Sequence, residues 1–322
     1  MTSLDTAMAE AAEAIRSASS LAITGHVSPD GDALGSALGL AHAARGAGVP
    51  AVVAFGGPAP ISDSLRFLDL SPLVDAEQFP EAPECAVVFD TATADRLGDL
   101  APRVNRSTTV VVVDHHLEDG SEFGDIRVVD PSAAASAELA VLLIDAVGWS
   151  IGEAAAQCLL TGIVTDTGRF QYSATGGDTM RTAARLIDLG AHPEIVGQHV
   201  YESVPFGYLK VSAAMLGRAV LEPDLGLVWS WVEEPDVRSA GVSLGDLDGL
   251  IDDLRVAREA GVAALLKQTA SGWKVSLRSR GHADVAAVAA RHGGGGHHNA
   301  AGFTMDADRA AVVEAVRSGL RG

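Results

Sequence analysis

The stretch Val110-Val-Val-Val-Asp-His-His116 decides how this chain is read. Four consecutive β-branched residues suit a strand buried on both faces, as in a parallel sheet covered by helices. A carboxylate and two imidazoles follow with no turn residue between them. In open parallel sheets ligands sit beyond the carboxyl ends of the strands. Asp114, His115 and His116 are therefore expected at the mouth of a crevice, and Asp plus His is a donor mixture that borderline divalent metals favour.

Working outward, the same arrangement recurs. Residues 21–24 form an apolar strand followed by Gly25-His-Val-Ser-Pro-Asp-Gly-Asp32, and residues 33–46 then have helical spacing. Residues 51–55 and 85–89 are further strands, the second ending on Asp90, and residues 126–129 end at Asp130-Pro131. Helices are expected over 136–147 and 151–164, with Asp166 following in Thr165-Asp-Thr-Gly-Arg-Phe170. Strands alternating with helices imply an α/β unit with a doubly wound parallel sheet. A helix over 178–189 and a helical segment over 194–216 follow. The pattern then changes to strands near 225–232 and 273–278 and helices near 247–258 and 283–290. The last feature is Gly293-Gly-Gly-Gly-His-His-Asn-Ala-Ala-Gly302. The expected division is a first α/β domain over 1–200, a connecting helix over 201–215 and a smaller α+β domain over 216–322, consistent with two domains of ordinary size.

The composition excludes several functions. With 48% hydrophobic residues and 20% charged residues, the chain reads as soluble and globular. No apolar run approaches the roughly 18 residues that cross a membrane. The N-terminal segment reads as an amphipathic surface helix, too acidic for a transit peptide. Cys85 and Cys158 both lie in apolar segments and read as reduced core thiols of a cytoplasmic protein. A net charge of −19 opposes tracking along a long polyanion, which needs a basic stripe. Any nucleotide ligand is expected to be short and held by a few arginines.

Each acidic residue has an ordinary structural explanation when taken alone. Asp32 could cap the helix beginning at Ala33, Asp30-Gly31 could be a turn, Asp90 could start a helix and Asp166 could close a turn. Jointly these explanations weaken, because carboxylates gathered at adjacent sheet edges repel unless cations or protons neutralise them. Asp30, Asp32, Asp90 and Asp166 carry four negative charges, which match two divalent ions, with His26 and His115 as neutral donors. Two such metals, about 3.5–4 Å apart, can clamp a phosphate and acidify a bridging water. Mixed N/O ligation argues for Mn2+ over Mg2+, and no cysteine cluster suggests structural zinc.

At this point the pattern resembles the DHH phosphoesterases. His26-x3-Asp30-x-Asp32, Asp90, Asp114-His-His116 and Asp166 look like that family's four motifs. Gly294-Gly-Gly-His297 with Ala300-Ala-Gly302 looks like the signature of the associated DHHA1 domain. Size and layout are closest to the NrnA-like nanoRNase and pAp phosphatase subgroup, some of whose relatives act on cyclic dinucleotides. The resemblance implies that His26, Asp30 and Asp90 hold one metal. Asp32, Asp90, His115 and Asp166 hold the other, with Asp90 bridging. His116 would act beside the reacting phosphate, and Asp114 would orient the imidazoles. Arg278, Gly295, Gly296 and His297 would grip substrate, with Arg169 as a weaker candidate. From the glycines alone, Gly293–Gly296 would read as a flexible hinge. Arg280 and Lys274 read as exposed strand charges, and His42, His192, His199, His282, His292 and His298 as packed or surface histidines.

The resemblance further implies two Mn2+ ions, with Mg2+ or Co2+ able to substitute, and an active site in a cleft between the domains. The expected substrates are short RNA, pApA, pAp and cyclic di-AMP or di-GMP, handled by a cytoplasmic homodimer. Three other readings are weighed against this one. A manganese pyrophosphatase shares the first-domain motifs but has a different second domain. A processive exonuclease of the superfamily is usually longer. A catalytically silent nucleotide sensor would be expected to have lost a ligand.

Overall fold

The computed structural model describes residues 3–57, 61–116, 123–281 and 283–321, excluding the side chain of His297. His282 also lies outside the described residues. The chain divides into two compact units, Met1–Ser203 and Val204–Gly322.

In the first unit the elements run α1 (Ser3–Ser17), β1 (Leu21–Gly25), α2 (Gly31–Gly46), β2 (Ala51–Val53), β3 (Cys85–Phe89) and α3 (Ala101–Val104). They continue through β4 (Thr109–Asp114), β5 (Ile126–Val129), α4 (Ser136–Val147), α5 (Glu153–Asp166), α6 (Gly177–Asp188) and α7 (Pro193–Val196). The strands form one parallel sheet in the order β2-β1-β3-β4-β5. β1, β3 and most of β4 are buried throughout, because both faces of the sheet carry apolar layers. In this strand order the chain reverses direction between β1 and β3, which opens a crevice at their carboxyl ends. His26, Asp90 and Asp114 stand at the ends of β1, β3 and β4.

Close packing of α2 against α5 brings the remaining acidic residues to this edge. Gly31, Gly35 and Gly39 form a stripe at helical spacing along α2. A Cβ on any of them would come under 3.0 Å from Thr165, Cys158 or Leu159 of α5. Gly162 of α5 is equally confined, since a Cβ there would stand 2.8 Å from Asp32 Oδ1. Asp166 is the last residue of α5, one position inside the helix rather than beyond it.

The second unit comprises α8 (Phe206–Gly217), β6 (Val220–Glu222), β7 (Leu227–Val232), α9 (Glu234–Ala240), α10 (Leu250–Arg255) and β8 (Val262–Thr269). It ends with β9 (Gly272–Ser279), α11 (Val285–Ala290), β10 (Gly295–His297), β11 (Ala300–Met305) and α12 (Arg309–Arg321). Its sheet runs β10-β11-β9-β8-β7-β6, with only β7 and β8 parallel. Sequence reading missed the central strand β8, the paired β10 and β11, and α12. It also drew one helix over 194–216, where the structure has α7, a π-turn over Gly197–Tyr201 and then α8. Pro205 separates them, because the residue before a proline is pushed out of helical conformation. From Phe206 onward the expected connector is a helix with Val211 and Met215 buried in the second unit's own core.

The α2–α5 contact yields a first prediction. Gly35→Val would drive a branched side chain into the Cys158 carbonyl. It is expected to cost roughly 1–3 kcal/mol by overpacking and to lower Tm by several degrees. It should also weaken divalent-metal binding, because Asp32 and Asp166 would be separated. Calorimetric melts with and without metal check both effects.

Candidate metal centre

The structure brings His26, Asp30, Asp32, Asp90, Asp114, His115, His116 and Asp166 together at the carboxyl edge of the parallel sheet. Three groups of donor atoms lie mutually within 4.8 Å: His26 with Asp30 and Asp90, Asp32 with His115 and Asp166, and Asp90 with His115 and His116. Asp90 joins them by dividing its two oxygens. Oδ2 lies 3.2 Å from His26 Nε2, whereas Oδ1 lies 3.5 Å from His115 Nε2 and 3.7 Å from His116 Nδ1. Its backbone is left-handed at φ 63°, an uncommon conformation that Asp tolerates better than most residues.

The imidazoles are held by their Nδ1 atoms. His26 Nδ1–H donates to the Val27 carbonyl at 2.9 Å, and His115 Nδ1–H donates to the Ala133 carbonyl at 3.3 Å. Both rings therefore turn Nε2 toward the carboxylates. His115 Nε2 is buried and makes no hydrogen bond, even though Asp166 Oδ2 is 3.2 Å away and Asp32 Oδ2 4.0 Å away. A buried ring nitrogen without a hydrogen bond, facing three carboxylates, belongs to a donor set suited to a divalent cation once its proton is expelled. Asp114 does not orient both imidazoles, as the resemblance had implied. Its Oδ1 accepts from His116 Nδ1–H at 2.6 Å and from the His116 backbone N–H at 3.1 Å, while the Ala133 carbonyl orients His115.

The helix cap also differs from expectation. Asp30, not Asp32, caps α2: its Oδ1 accepts the backbone N–H groups of Asp32 and Ala33, each at 3.0 Å. Its Oδ2 lies 3.8 Å from His26 Nε2. Asp32 is fully buried and caps a different helix. Its Oδ2 accepts Ser136 N–H at 2.6 Å and its Oδ1 accepts Ala137 N–H at 2.9 Å, at the start of α4, which has no side-chain cap of its own. Ser136 Oγ–H completes this clamp by donating to Asp90 Oδ1 at 3.0 Å. Buried Glu138 accepts Ala134 N–H and the Thr179 hydroxyl, each at 3.2 Å, and so steadies the loop that presents Ala133 to His115. Sequence reading missed Ser136 and Glu138. The available signal was a serine opening a helix that it does not cap.

Electrostatics follow from this crowding. Burial opposes charge on His26, but Asp30 and Asp90 outweigh it and push its pKa up to about 10. Burial likewise opposes charge on His115, and Asp90, Asp166 and Asp32 push it up to about 10. Burial, then Asp90 and Asp30, raise Asp166 to about 7 against the pull of His115. Asp32 is raised by burial and then by Asp90 and Asp166, and His115 opposes this. Burial works against charge on Asp90, but its histidine neighbours hold it well below the usual carboxylate range. Protons on the imidazoles thus do the neutralising that a cation would do.

Gly168, Arg169 and Phe170 form a left-handed run just past α5, and the Arg169 guanidinium stacks 4.6 Å above the Tyr201 ring. In the second unit Arg278 pairs in register with Ala300, and Gly295 and Gly296 pair with Gly302 and Ala301. The glycine run is not a hinge. Gly294 lies against Gly302 and Phe303, and Gly296 at φ +139° lies against Ala300 and Ala301, each too closely for a Cβ.

Two predictions arise here. Ser136→Ala should lower divalent-metal affinity about tenfold, the scale of an outer hydrogen bond to a ligand, while thermal stability changes little; Ser136→Thr should restore it. Titration calorimetry reads the affinity. Because His26 and His115 carry protons below about pH 10 in the metal-free protein, a cation must expel them, so metal affinity should rise with pH. The raised histidine pKa values stabilise the metal-free fold fully below about pH 6.5, and this stabilisation is lost toward pH 10. Metal-free Tm should therefore fall across that window, while metal-saturated Tm holds.

Comparison with known proteins agrees with this geometry. Residues 20–163 match the DHH family, N-terminal domain, and residues 227–320 match the DHHA1 domain. The bifunctional oligoribonuclease and PAP phosphatase NrnA of Thermus thermophilus is 34% identical over 308 residues, covering 92% of this chain and 89% of that protein. The cyclic-di-AMP phosphodiesterase GdpP of Geobacillus thermodenitrificans is 28% identical, covering 88% of this chain and 44% of that longer protein. The crystal structure of an exopolyphosphatase-related protein from Bacteroides fragilis superposes with a TM-score of 0.91 at 23% identity, covering 100% of this chain and 98% of that one, and so shares its fold. The five-stranded parallel sheet with its edge of Asp and His, followed by the DHHA1 sheet, belongs to a metal-dependent phosphoesterase of the DHH family.

Proposed function

We propose that this enzyme hydrolyses short oligoribonucleotides and dinucleotides such as pApA to mononucleotides, dephosphorylates pAp to AMP, and degrades cyclic di-AMP. The observation that carries the reading is Asp90, whose two oxygens serve two donor groups at once. The similarity to the NrnA of Thermus thermophilus supports the choice of substrates, and the similarity to GdpP supports the cyclic one.

In this reading His26, Asp30 and Asp90 would hold one divalent cation, and Asp32, Asp90, His115 and Asp166 would hold the second. The mixed nitrogen and oxygen donors favour Mn2+. When bound, the cations supply Lewis acidity toward a phosphoryl oxygen and acidify a water. The remaining chemistry belongs to side chains. Asp114 fixes the proton of His116 on Nδ1, which makes Nε2 the nitrogen that exchanges a proton with the leaving oxygen. Asp32, clamped by α4, and Asp90, clamped by Ser136, keep their places as charge shifts onto the phosphate. The first unit carries catalysis, and the second unit, which includes α8, grips the substrate through Arg278 and the backbone of Gly295, Gly296 and His297. Arg169 offers a further phosphate contact.

We also infer a cytoplasmic homodimer. Cys85 and Cys158 are buried unpaired thiols, as a reducing compartment allows. Leu142 of α4 and Met180 and Ile187 of α6 are exposed on neighbouring helices joined by an Asp145–Arg185 pair. Exposed apolar groups of this kind favour a subunit contact.

The test is a parallel product assay with Mn2+, using pApA, pAp, cyclic di-AMP and inorganic pyrophosphate, with a chelated control. AMP from the adenine substrates, lost on chelation, is expected. Orthophosphate from pyrophosphate alone would overturn the assignment of the second domain. His116→Ala should lower kcat about 10²–10⁴-fold with metal content near normal. Loss of metal along with activity would show that His116 is a ligand instead.

A further inference from the structure

The chain leaving α5 is strained at three consecutive residues. Gly168, Arg169 and Phe170 have φ values of 54°, 63° and 63°, left-handed angles that suit glycine and disfavour residues with a Cβ. Only glycine fits the first position, because a Cβ there would stand 2.4 Å from the Tyr172 ring. The other two are held by their surroundings. Phe170 packs against the first unit's core, and its N–H donates at 3.0 Å to the hydroxyl of buried Thr167. Arg169 N–H donates at 2.8 Å to the Val164 carbonyl. Strain of this kind persists only where the surrounding structure fixes it, and it gathers at functional sites. The run begins two residues after Asp166, a candidate donor of the metal centre.

Tyr201 meets this run from another part of the chain. It closes the π-turn over Gly197–Tyr201, a rare conformation that frequently marks functional sites. Its half-buried ring packs against the first unit's core, and its hydroxyl donates to the same Val164 carbonyl at 3.3 Å. The Arg169 guanidinium lies 4.6 Å from the centre of that ring. One carbonyl of α5, two residues before Asp166, thus receives both the backbone of Arg169 and the side chain of Tyr201. The pairing is unusual for this unit. Arg16, Arg66, Arg106, Arg181 and Arg185 all pair with carboxylates, as a chain of net charge −19 readily allows. Arg169 is exposed and rests instead on a neutral ring. A flat guanidinium that stacks by its face keeps its N–H edge for a phosphate, so the ring fixes the group without neutralising it.

We propose that Tyr201 is a positioning residue for Arg169, holding the guanidinium so that it meets a phosphate of the substrate at a fixed spacing from Asp166. The ring sets the guanidinium, and the hydroxyl ties the ring to the end of α5. The left-handed run is then the backbone cost of turning Arg169 back onto Tyr201. The inference rests on the reading above that Arg169 contacts a substrate phosphate, and it adds the residue through which that contact is arranged.

The test is titration calorimetry of the full chain with pAp in chelator, which prevents turnover. Arg169→Ala should weaken binding about tenfold or more, the scale of a charged hydrogen bond. Tyr201→Leu should weaken it about fivefold, the scale of a cation–π contact, whereas Tyr201→Phe keeps the ring and should stay within about twofold of wild type. The double variant of Tyr201→Leu with Arg169→Ala should bind no more weakly than Arg169→Ala alone, because a residue that acts through another adds nothing once the other is gone. Arg169→Lys keeps the charge but not the flat stack and should lose much of the same affinity; it decides the matter where Tyr201→Leu does not fold. Additive losses in the double variant, equal losses in Tyr201→Phe and Tyr201→Leu, or normal binding by Tyr201→Leu or Arg169→Lys would overturn the positioning role. Normal binding by Arg169→Ala, or a wild-type protein that does not bind pAp, would overturn it too by removing the phosphate contact. The parallel product assay judges the catalytic reading separately: turnover of pAp with normal binding by every variant would keep that reading and sink this one.

Discussion

Asp32 is a carboxyl group placed where water cannot reach it, and the first unit is arranged around that placement. Its oxygens receive the Ser136 and Ala137 N–H groups at the start of α4. A helix N-terminus favours an anion, so α4 offsets part of the cost of placing a carboxylate beside Asp90 and Asp166. The hydroxyl of Ser136 extends the same clamp to Asp90. One helix end therefore fixes a carboxyl group supplied by α2 and another supplied by the end of β3.

That clamp works only if α2 and α5 lie close together. Gly31, Gly35, Gly39 and Gly162 remove the side chains that would separate them. Helix stripes of small residues usually serve packing alone. Here the packing also sets the distance between Asp32, in the first turn of α2, and Asp166, in the last turn of α5, so the spacing of two candidate donors is encoded by glycines outside the cluster. The strand order adds the third component by opening the sheet between β1 and β3, where His26 and Asp90 emerge.

Much of this was legible in the sequence, for a physical reason. The first unit's strands are runs such as Val110–Val113, whose β-branching and lack of polar alternation suit only a doubly covered sheet, and the metal-seeking side chains follow those runs directly. The second unit was less legible. Its central strand β8 contains Ala263-Ala-Leu-Leu-Lys267, good helix formers that tertiary pairing overrides. The Gly293–Gly296 run reads as a hinge because glycine signals freedom locally, whereas here it answers close approach by β11. Ser136, Glu138 and the Ala133 carbonyl could not be found by spacing, since their partners lie far along the chain.

The sequence posed structural and functional explanations as alternatives for each aspartate, and the structure shows why that opposition was too simple. A carboxylate has two oxygens. Asp30 uses Oδ1 to cap α2 and turns Oδ2 toward His26. Asp90 gives Oδ1 to Ser136 and the His115 side, and Oδ2 to His26. Capping orients the residue so that the remaining lone pairs face the centre, so the ordinary role of Asp at a helix end is what makes the exceptional role possible. The same division of labour appears in the imidazoles, where the Nδ1–H bonds of His26 and His115 to backbone carbonyls aim Nε2 inward. Such a site is preorganised by hydrogen bonds the fold would need in any case, so its geometry does not have to be assembled by the cation itself.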